Sequence, residues 1–308
     1  MEYNFMTFAI KPLIVTGSDQ KYFEVLWSLL RSLKYFEESR QIDCVVIDAG
    51  LTSEQKTKLG EIGVKSAEIG WGFPFMDIFD ITKLPQHTKC LTARPFLPSM
   101  FPGYSHYIWM DADAWIQSGK SVRTFLESSK DADLAIVPEL HHTFEYLYRP
   151  NHASRTSHRY VYHACYGKET GDILSMLPVH NAGVFAARVE SPLWSEWSRE
   201  MGECIMRARF FNCDQASLNF LIYNCKLTTA RLPAEFNWVC SSQVPEWDRE
   251  ESSFVSPGPL PRRIEVMHVT GAALSQKWYD IQCRQGGTVQ RSLLSPFPQV
   301  VPNGSPAD

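Results

Sequence analysis

The chain has 308 residues, 44% hydrophobic and 21% charged, which is enough apolar content for a large core and excludes a globally disordered chain. Its formal net charge of −4 lacks the basic excess that nucleic-acid-binding proteins carry, so nucleic acid is not an expected partner. No stretch reaches the roughly 18 uninterrupted apolar residues of a membrane helix, and the N-terminus lacks a basic-then-apolar leader pattern, which leaves only peripheral membrane contact open.

In chain order, FAIKPLIVTG (residues 8–17) reads as a strand that turns at Gly17-Ser18-Asp19. Phe23, Leu26, Leu29, Leu30 and Leu33 then recur at helical spacing. IDCVVIDAG is β-branched and apolar, a buried parallel strand. LTSEQKTKLGEIGV reads as a helix capped by Thr52 or Ser53. This strand–helix–strand–helix opening predicts an α/β fold with a parallel sheet and right-handed crossovers. LTARPFLPSMF is a helix, HYIWMDADAWI a strand ending in two carboxylates, and DADLAIVPEL another strand. Residues 139–180 look irregular and are crowded with histidine and tyrosine. NAGVFAAR resumes a strand, PLWSEWSREMGECIMRARF and DQASLNFLIYNC are helical, RLPAEFNWVC is extended, and IEVMHVTG is a last strand. From about Gln282 the Gly/Ser/Pro-rich sequence predicts a loose tail. Eight scattered cysteines without a C-x-x-C pair predict reduced, mostly buried thiols and a cytoplasmic protein.

Asp111-Ala112-Asp113 directly follows the apolar run Tyr107–Met110. Ligands of open α/β sheets bind beyond the carboxyl ends of strands. Two like charges placed there need a counter-charge, which a hard divalent ion shared with a diphosphate supplies. A turn of two solvated aspartates is the plain alternative. Asp131 and Asp133 repeat the spacing but precede their apolar run, and read as a loop.

Several short motifs, in order, resemble the retaining glycosyltransferases of family eight, the group of lipopolysaccharide galactosyltransferases and glycogenin. VTGSDQKYFEVLWSLL is similar to the family's opening strand and donor-base loop, and TARPFLPSMFPGYSHYIWMDADAW to its arginine-bearing helix and metal motif. NAGVFAAR, DQASLNFL, RLPAEFNW and HVTG resemble the later motifs. The resemblance implies a GT-A fold: a mixed, mostly parallel sheet flanked by helices, in a single catalytic domain over residues 1–281. Residues 139–180 would be an acceptor-side insertion and 282–308 a flexible tail. It implies a glycosyltransferase that uses Mn²⁺ or Mg²⁺ to move a sugar from a UDP-sugar to a glycan or other hydroxyl acceptor, with retention.

By the same resemblance, Thr16, Gly17, Asp19 and Tyr22 face the donor, with Asp19 accepting from the base and Tyr22 stacking on it. Asp19 also suits the cap of the following helix. Arg94 would bind diphosphate or bridge it to Asp111, unless it is a surface ion pair. Asp111, Asp113 and His268 would hold the metal, with Ala112 beside the donor, and Gly271 and Lys277 would serve the diphosphate. Asn181, Asp214 and Gln215 would form the sugar pocket, with Gln215 beneath the anomeric carbon; Asp214 could instead be a helix cap. The chain departs from the family at Ala216, where a carboxylate is usual, and at Lys277, which comes six residues after Gly271 rather than three. The histidines and tyrosines of 139–180 suit an acceptor loop, plain surface, or a metal site. An inverting transferase using Glu139, Glu145 or Asp214 as base, and a non-catalytic nucleotide-sugar-binding relic, are the rival readings.

Overall fold

The structure is a computed structural model that describes residues 11–295 except 74, 77, 78 and 150. The chain opens with β1 (Pro12–Ser18), α1 (Phe23–Tyr35), α2 (Glu37–Arg40), β2 (Asp43–Asp48), α3 (Ser53–Glu61) and β3 (Lys65–Glu68). Next come α4 (Thr88–Ala93), a 3-10 turn at Arg94–Phe96, α5 (Leu97–Met100), β4 (His106–Met110), β5 (Ala114–Ile116), α6 (Lys120–Ser128) and β6 (Leu134–Pro138). Then follow α7 (Ala153–Leu174), β7 (His180–Arg188), α8 (Leu193–Ala208), α9 (Asp214–Tyr223) and β8 (Thr229–Arg231). The last part holds β9 (Trp238–Val239), β10 (Glu246–Asp248), β11 (Ser253–Val255), β12 (Val266–His268), β13 (Tyr279–Gln282) and β14 (Thr288–Arg291).

The seven-stranded sheet runs β3-β2-β1-β4-β7-β6-β8. Only β7 lies antiparallel to its neighbours, β4 and β6, and the other pairs are parallel. Side chains of β4 alternate between the two faces: Tyr107 and Trp109 enter one core cluster, Ile108 and Met110 the other. α1 buries the five apolar residues that its spacing selected. Thr52 is the cap of α3, in a reciprocal capping box with Gln55. A small sheet, β5-β12-β9, covers a third cluster around Trp115, Phe144, Trp238 and Met267.

Two expectations change. Residues 139–180 are not irregular: α7 fills half of them, broken at Gly167 (φ 79°). Its buried positions are Tyr162, Cys165, Gly171 and Leu174, so the apolar repeat that would mark a helix is absent. Three of the polar aromatics there make internal contacts. Tyr166 stacks on Phe220 at 4.2 Å, His163 meets Asp172 at 2.7 Å, and His180 is buried against Asn219. The tail boundary expected at Gln282 falls inside a hairpin, in which Tyr279–Gln282 pairs with Thr288–Arg291. Leu293 beyond it is fully buried, with its carbonyl accepting from Trp115 Nε1 at 2.7 Å. Residues 296–308 of the expected tail lie outside the described residues.

Candidate functional site

The sheet order creates a switch point. From β1 the chain moves outward to β2 and β3, then returns to place β4 on the other side of β1, parallel to it. The loops after β1 and β4 therefore open at the same edge. They enclose a cavity of about 230 Å³ lined by Gly17, Ser18, Asp19, Tyr22, His87, Cys90, Leu91, Arg94, Trp109, Asp111, Ala112 and Asp113. Asp19 Oδ1 accepts the backbone N–H groups of Lys21 and Tyr22 at 2.9 and 3.0 Å, so one oxygen holds the loop while the residue still borders the cavity.

His268 reaches Asp113 through the small sheet. After the Asp-Ala-Asp turn, β5 pairs antiparallel with β12, placing Ala114 opposite His268, and Val269 N donates to Asp113 O at 2.8 Å. His268 Nε2 lies 3.2 Å from Asp113 Oδ1 and 3.7 Å from Asp111 Oδ2. Among the described residues, Asp111, Asp113 and His268 are the one group of three such side chains close enough to hold an ion, with ligand atoms within 4.8 Å of one another. Burial opposes charge on the His268 ring, but the charge and hydrogen bond of Asp113, then Asp111, carry its pKa above the usual imidazole range. Burial likewise raises the Asp111 carboxyl; Arg94 and His268 oppose this and Asp113 reinforces it.

Arg94 is buried rather than a surface ion pair. One terminal nitrogen donates to Asp111 and the other to Asp214, and its guanidinium sits 4.9 Å over the Trp109 ring. Trp109 Nε1 donates to Asp111 Oδ1 at 2.7 Å. Asp111 and Asp214 share this guanidinium, while Asp111 and Asp113 both face His268, a concentration of carboxylates that a divalent cation would offset. Arg94 Nε is buried without a hydrogen-bond partner. Carboxylate oxygens suit Mg²⁺ and Mn²⁺ alike, and the imidazole favours the softer Mn²⁺. The donor set therefore fits such an ion.

Asp214 does not cap its helix. Cys213 is the N-cap, without a side-chain cap bond, and the Asp214 carboxylate turns to Arg94. Side chains of α9 instead serve the irregular start of β7, where the register with β6 shifts between Ile136 and Val137. Asn219 accepts from His180 N at 2.7 Å and donates to His180 O at 2.8 Å, and Gln215 Oε1 accepts from Ala182 N at 3.1 Å. Asn181 Oδ1 accepts from Gly183 N at 2.9 Å and from Asn237 Nδ2 at 3.1 Å, while Asn181 Nδ2 donates to Glu139 Oε1 at 2.9 Å. Gly183 O in turn accepts from Asp111 N at 2.7 Å.

Gly183 has no room for a side chain. A Cβ there would collide with His268 Cε1 and stand 2.8 Å from Asp111 Oδ2. Gly183→Ala is expected to cost about 1–3 kcal/mol of stability through overpacking and at least roughly tenfold in Mn²⁺ affinity through displaced ligands. Thermal unfolding and Mn²⁺ titration measure the two; an unchanged Mn²⁺ affinity would contradict the crowding argument.

Comparison with known proteins finds no matching family model and no matching curated sequence. Among solved structures, the chain is similar to the galactosyltransferase LgtC in complex with donor and acceptor sugar analogues: TM-score 0.54, 16% identity, covering 87% of this chain and 89% of that one. The fold is that of the GT-A glycosyltransferases. Mouse xyloside xylosyltransferase 1 is similar too, at TM-score 0.50 and 14% identity over 87% of this chain and 99% of that one.

Within this GT-A fold, Gly17, Asp19, Tyr22, Arg94, Asp111, Ala112 and Asp113 line the shared cavity, with His268 and Asp214 tied to its carboxylates and Arg94. Thr16 is fully buried within β1, its hydroxyl without a partner, and is not in the lining. Gly271, at φ 55°, opens a 3-10 turn, and Lys277 is exposed; neither lines the cavity. Asp133 of the second Asp-Ala-Asp is structural, holding Arg188 and Thr228. No histidine of 139–180 belongs to a group of three ligands among the described residues. His87, Cys90, Leu91 and Trp109 were not singled out by sequence, because only their neighbours carry a recognisable pattern. Burial raises the Cys90 thiol to about 12, so it enters the cavity wall as a neutral group. No described helix is long and apolar enough to cross a membrane.

Proposed function

We propose that the chain is a metal-dependent glycosyltransferase that takes its sugar from a UDP-sugar and passes it, with retention, to a glycan or other hydroxyl acceptor. The observation that carries this reading is the Asp111–Asp113–His268 group at the switch point of a GT-A fold, opening on the cavity beside Asp19 and Tyr22. Asp111, Asp113 and His268 would hold Mn²⁺ or Mg²⁺, which when bound supplies positive charge for the departing diphosphate.

The chain's own residues have separate tasks. Tyr22, 44% exposed at the mouth, offers its ring to the base, and Asp19 offers the carboxylate oxygen not engaged with Lys21 and Tyr22 N–H. Arg94 holds Asp111 and Asp214 in place. Lys277, exposed on the segment after His268, is the second cation assigned to the diphosphate. Asp214, Gln215 and Asn181 are assigned to the sugar. An amide oxygen at Gln215 is a weak nucleophile, and its dipole stabilises an oxocarbenium-like state, in keeping with attack from the leaving-group face.

Calorimetry of nucleoside diphosphates tests donor recognition. UDP is expected to bind more tightly than GDP or ADP, and Asp19→Ala to lose about 1–3 kcal/mol for UDP through one charge-assisted hydrogen bond. Equal binding of all three diphosphates would refute the base assignment. For stereochemistry, NMR of the product should show an α linkage from a UDP-α-sugar. Gln215→Ala should lower turnover more than about tenfold with UDP affinity little changed. A β product would identify an inverting enzyme and remove the role given to Gln215.

A further inference from the structure

Resting on the metal reading above, we infer that Asn237 is a positioning residue for metal binding: held by Asn181, it fixes a proton of His268 on Nδ1, so that Nε2 is the nitrogen that serves an ion between Asp111 and Asp113. The argument starts from a group whose role is unambiguous. The backbone N–H of Gly183 can only donate, and it donates to Asn181 Oδ1 at 2.9 Å. That atom is therefore an acceptor. Its neighbour at 3.1 Å must be the amide nitrogen of Asn237, which leaves Asn237 Oδ1 facing His268 Nδ1 at 2.8 Å. An oxygen there accepts, so Nδ1 carries the proton.

The far side of Asn181 supports the same orientation, since its Nδ2 donates to the Glu139 carboxylate at 2.9 Å. The series Glu139–Asn181–Asn237–His268 thus has one donor direction throughout. It is buried where it matters, with Asn237 and His268 each 2% exposed, so water is not positioned to reverse it. A histidine ligand held through its second nitrogen binds metal more tightly than a freely rotating one, and loss of such a partner typically weakens metal binding about 10–100-fold. The Asn of the RLPAEFNW segment, left without a role by the sequence, acquires one here.

The test titrates the full chain with Mn²⁺, alone and with UDP present, following free Mn²⁺ by electron paramagnetic resonance. Asn237→Ala is expected to weaken Mn²⁺ at least roughly tenfold. Asn237→Asp, which keeps an acceptor for Nδ1–H but loses the donor to Asn181 Oδ1, is expected to bind Mn²⁺ clearly more tightly than Asn237→Ala though less tightly than the natural chain. A purely structural asparagine gives the opposite order, because a buried carboxylate fits worse than alanine. Wild-type affinity in Asn237→Ala, or Asn237→Asp as weak as Asn237→Ala in a folded protein, would overturn the inference. If the variants do not fold, the ¹⁵N spectrum of imidazole-labelled wild type loaded with Mg²⁺ decides: a proton on Nδ1 of His268 is expected, and a proton on Nε2 overturns it. Failure of the wild type to bind Mn²⁺ under either condition would instead remove the metal site, and this role with it.

Discussion

Asp113→Asn is expected to lower sugar transfer by more than about 100-fold, equivalent to roughly 2.7 kcal/mol of barrier, with the folded structure retained. Of the two carboxylates, Asp113 lies closer to His268 Nε2, at 3.2 Å, and its backbone carbonyl already anchors the small sheet through Val269 N. The substitution leaves that backbone bond intact and removes only the charge at the ion. Circular dichroism should therefore be unchanged while Mn²⁺ affinity and turnover fall together. A variant that keeps turnover but unfolds at lower temperature would show that Asp113 is structural.

The second large effect is expected at Arg94. Arg94 is 5% exposed, and its guanidinium is shared between Asp111 and Asp214, the latter 3% exposed. Arg94→Met removes the cation and leaves two carboxylates without it, a change that costs about 3–5 kcal/mol at buried ion pairs. The cation–π contact with Trp109 is lost as well. Two further results separate charge from packing. Asp214→Asn in the Arg94→Met background should recover part of the loss, since the two residues are coupled. Added Mn²⁺ should also stabilise the Arg94→Met protein by binding the folded state. Urea unfolding reads all of these, and strict additivity of the two substitutions would mean that the pair is energetically independent.

The parallel opening of the fold was legible because burial on both faces forces continuous apolar strands, as in Ile14–Val15 and Val45–Ile47, and because α1 keeps a helical apolar repeat. The placement of Asp111 and Asp113 was legible for the same reason: the buried run Tyr107–Met110 marks a strand, and the carboxylates follow its end. Side-chain direction was not legible. Asp214 reads as a sugar-pocket residue or a helix cap, and its ion pair with Arg94, with Cys213 as the N-cap, is visible only in the fold. α7 escaped because tyrosine and cysteine occupy its buried positions and Gly167 interrupts it. The closing hairpin escaped because Gly286 and Gly287, which read as a loose tail, supply the positive φ values of 90° and 75° near its turn. Asn219 and Gln215 sit in a recognisable motif, yet their bonds to the backbone of β7 follow from a register shift that no local pattern announces.

The most direct measurement is UDP release from a panel of UDP-sugars by the purified chain, with Mn²⁺ and again in excess chelator. Release that requires Mn²⁺, returns when the ion is restored, and is lost in Asp113→Asn is expected. Release at the same rate in excess chelator would contradict the metal-dependent transferase. So would a chain that neither binds UDP nor consumes any UDP-sugar with Mn²⁺ present.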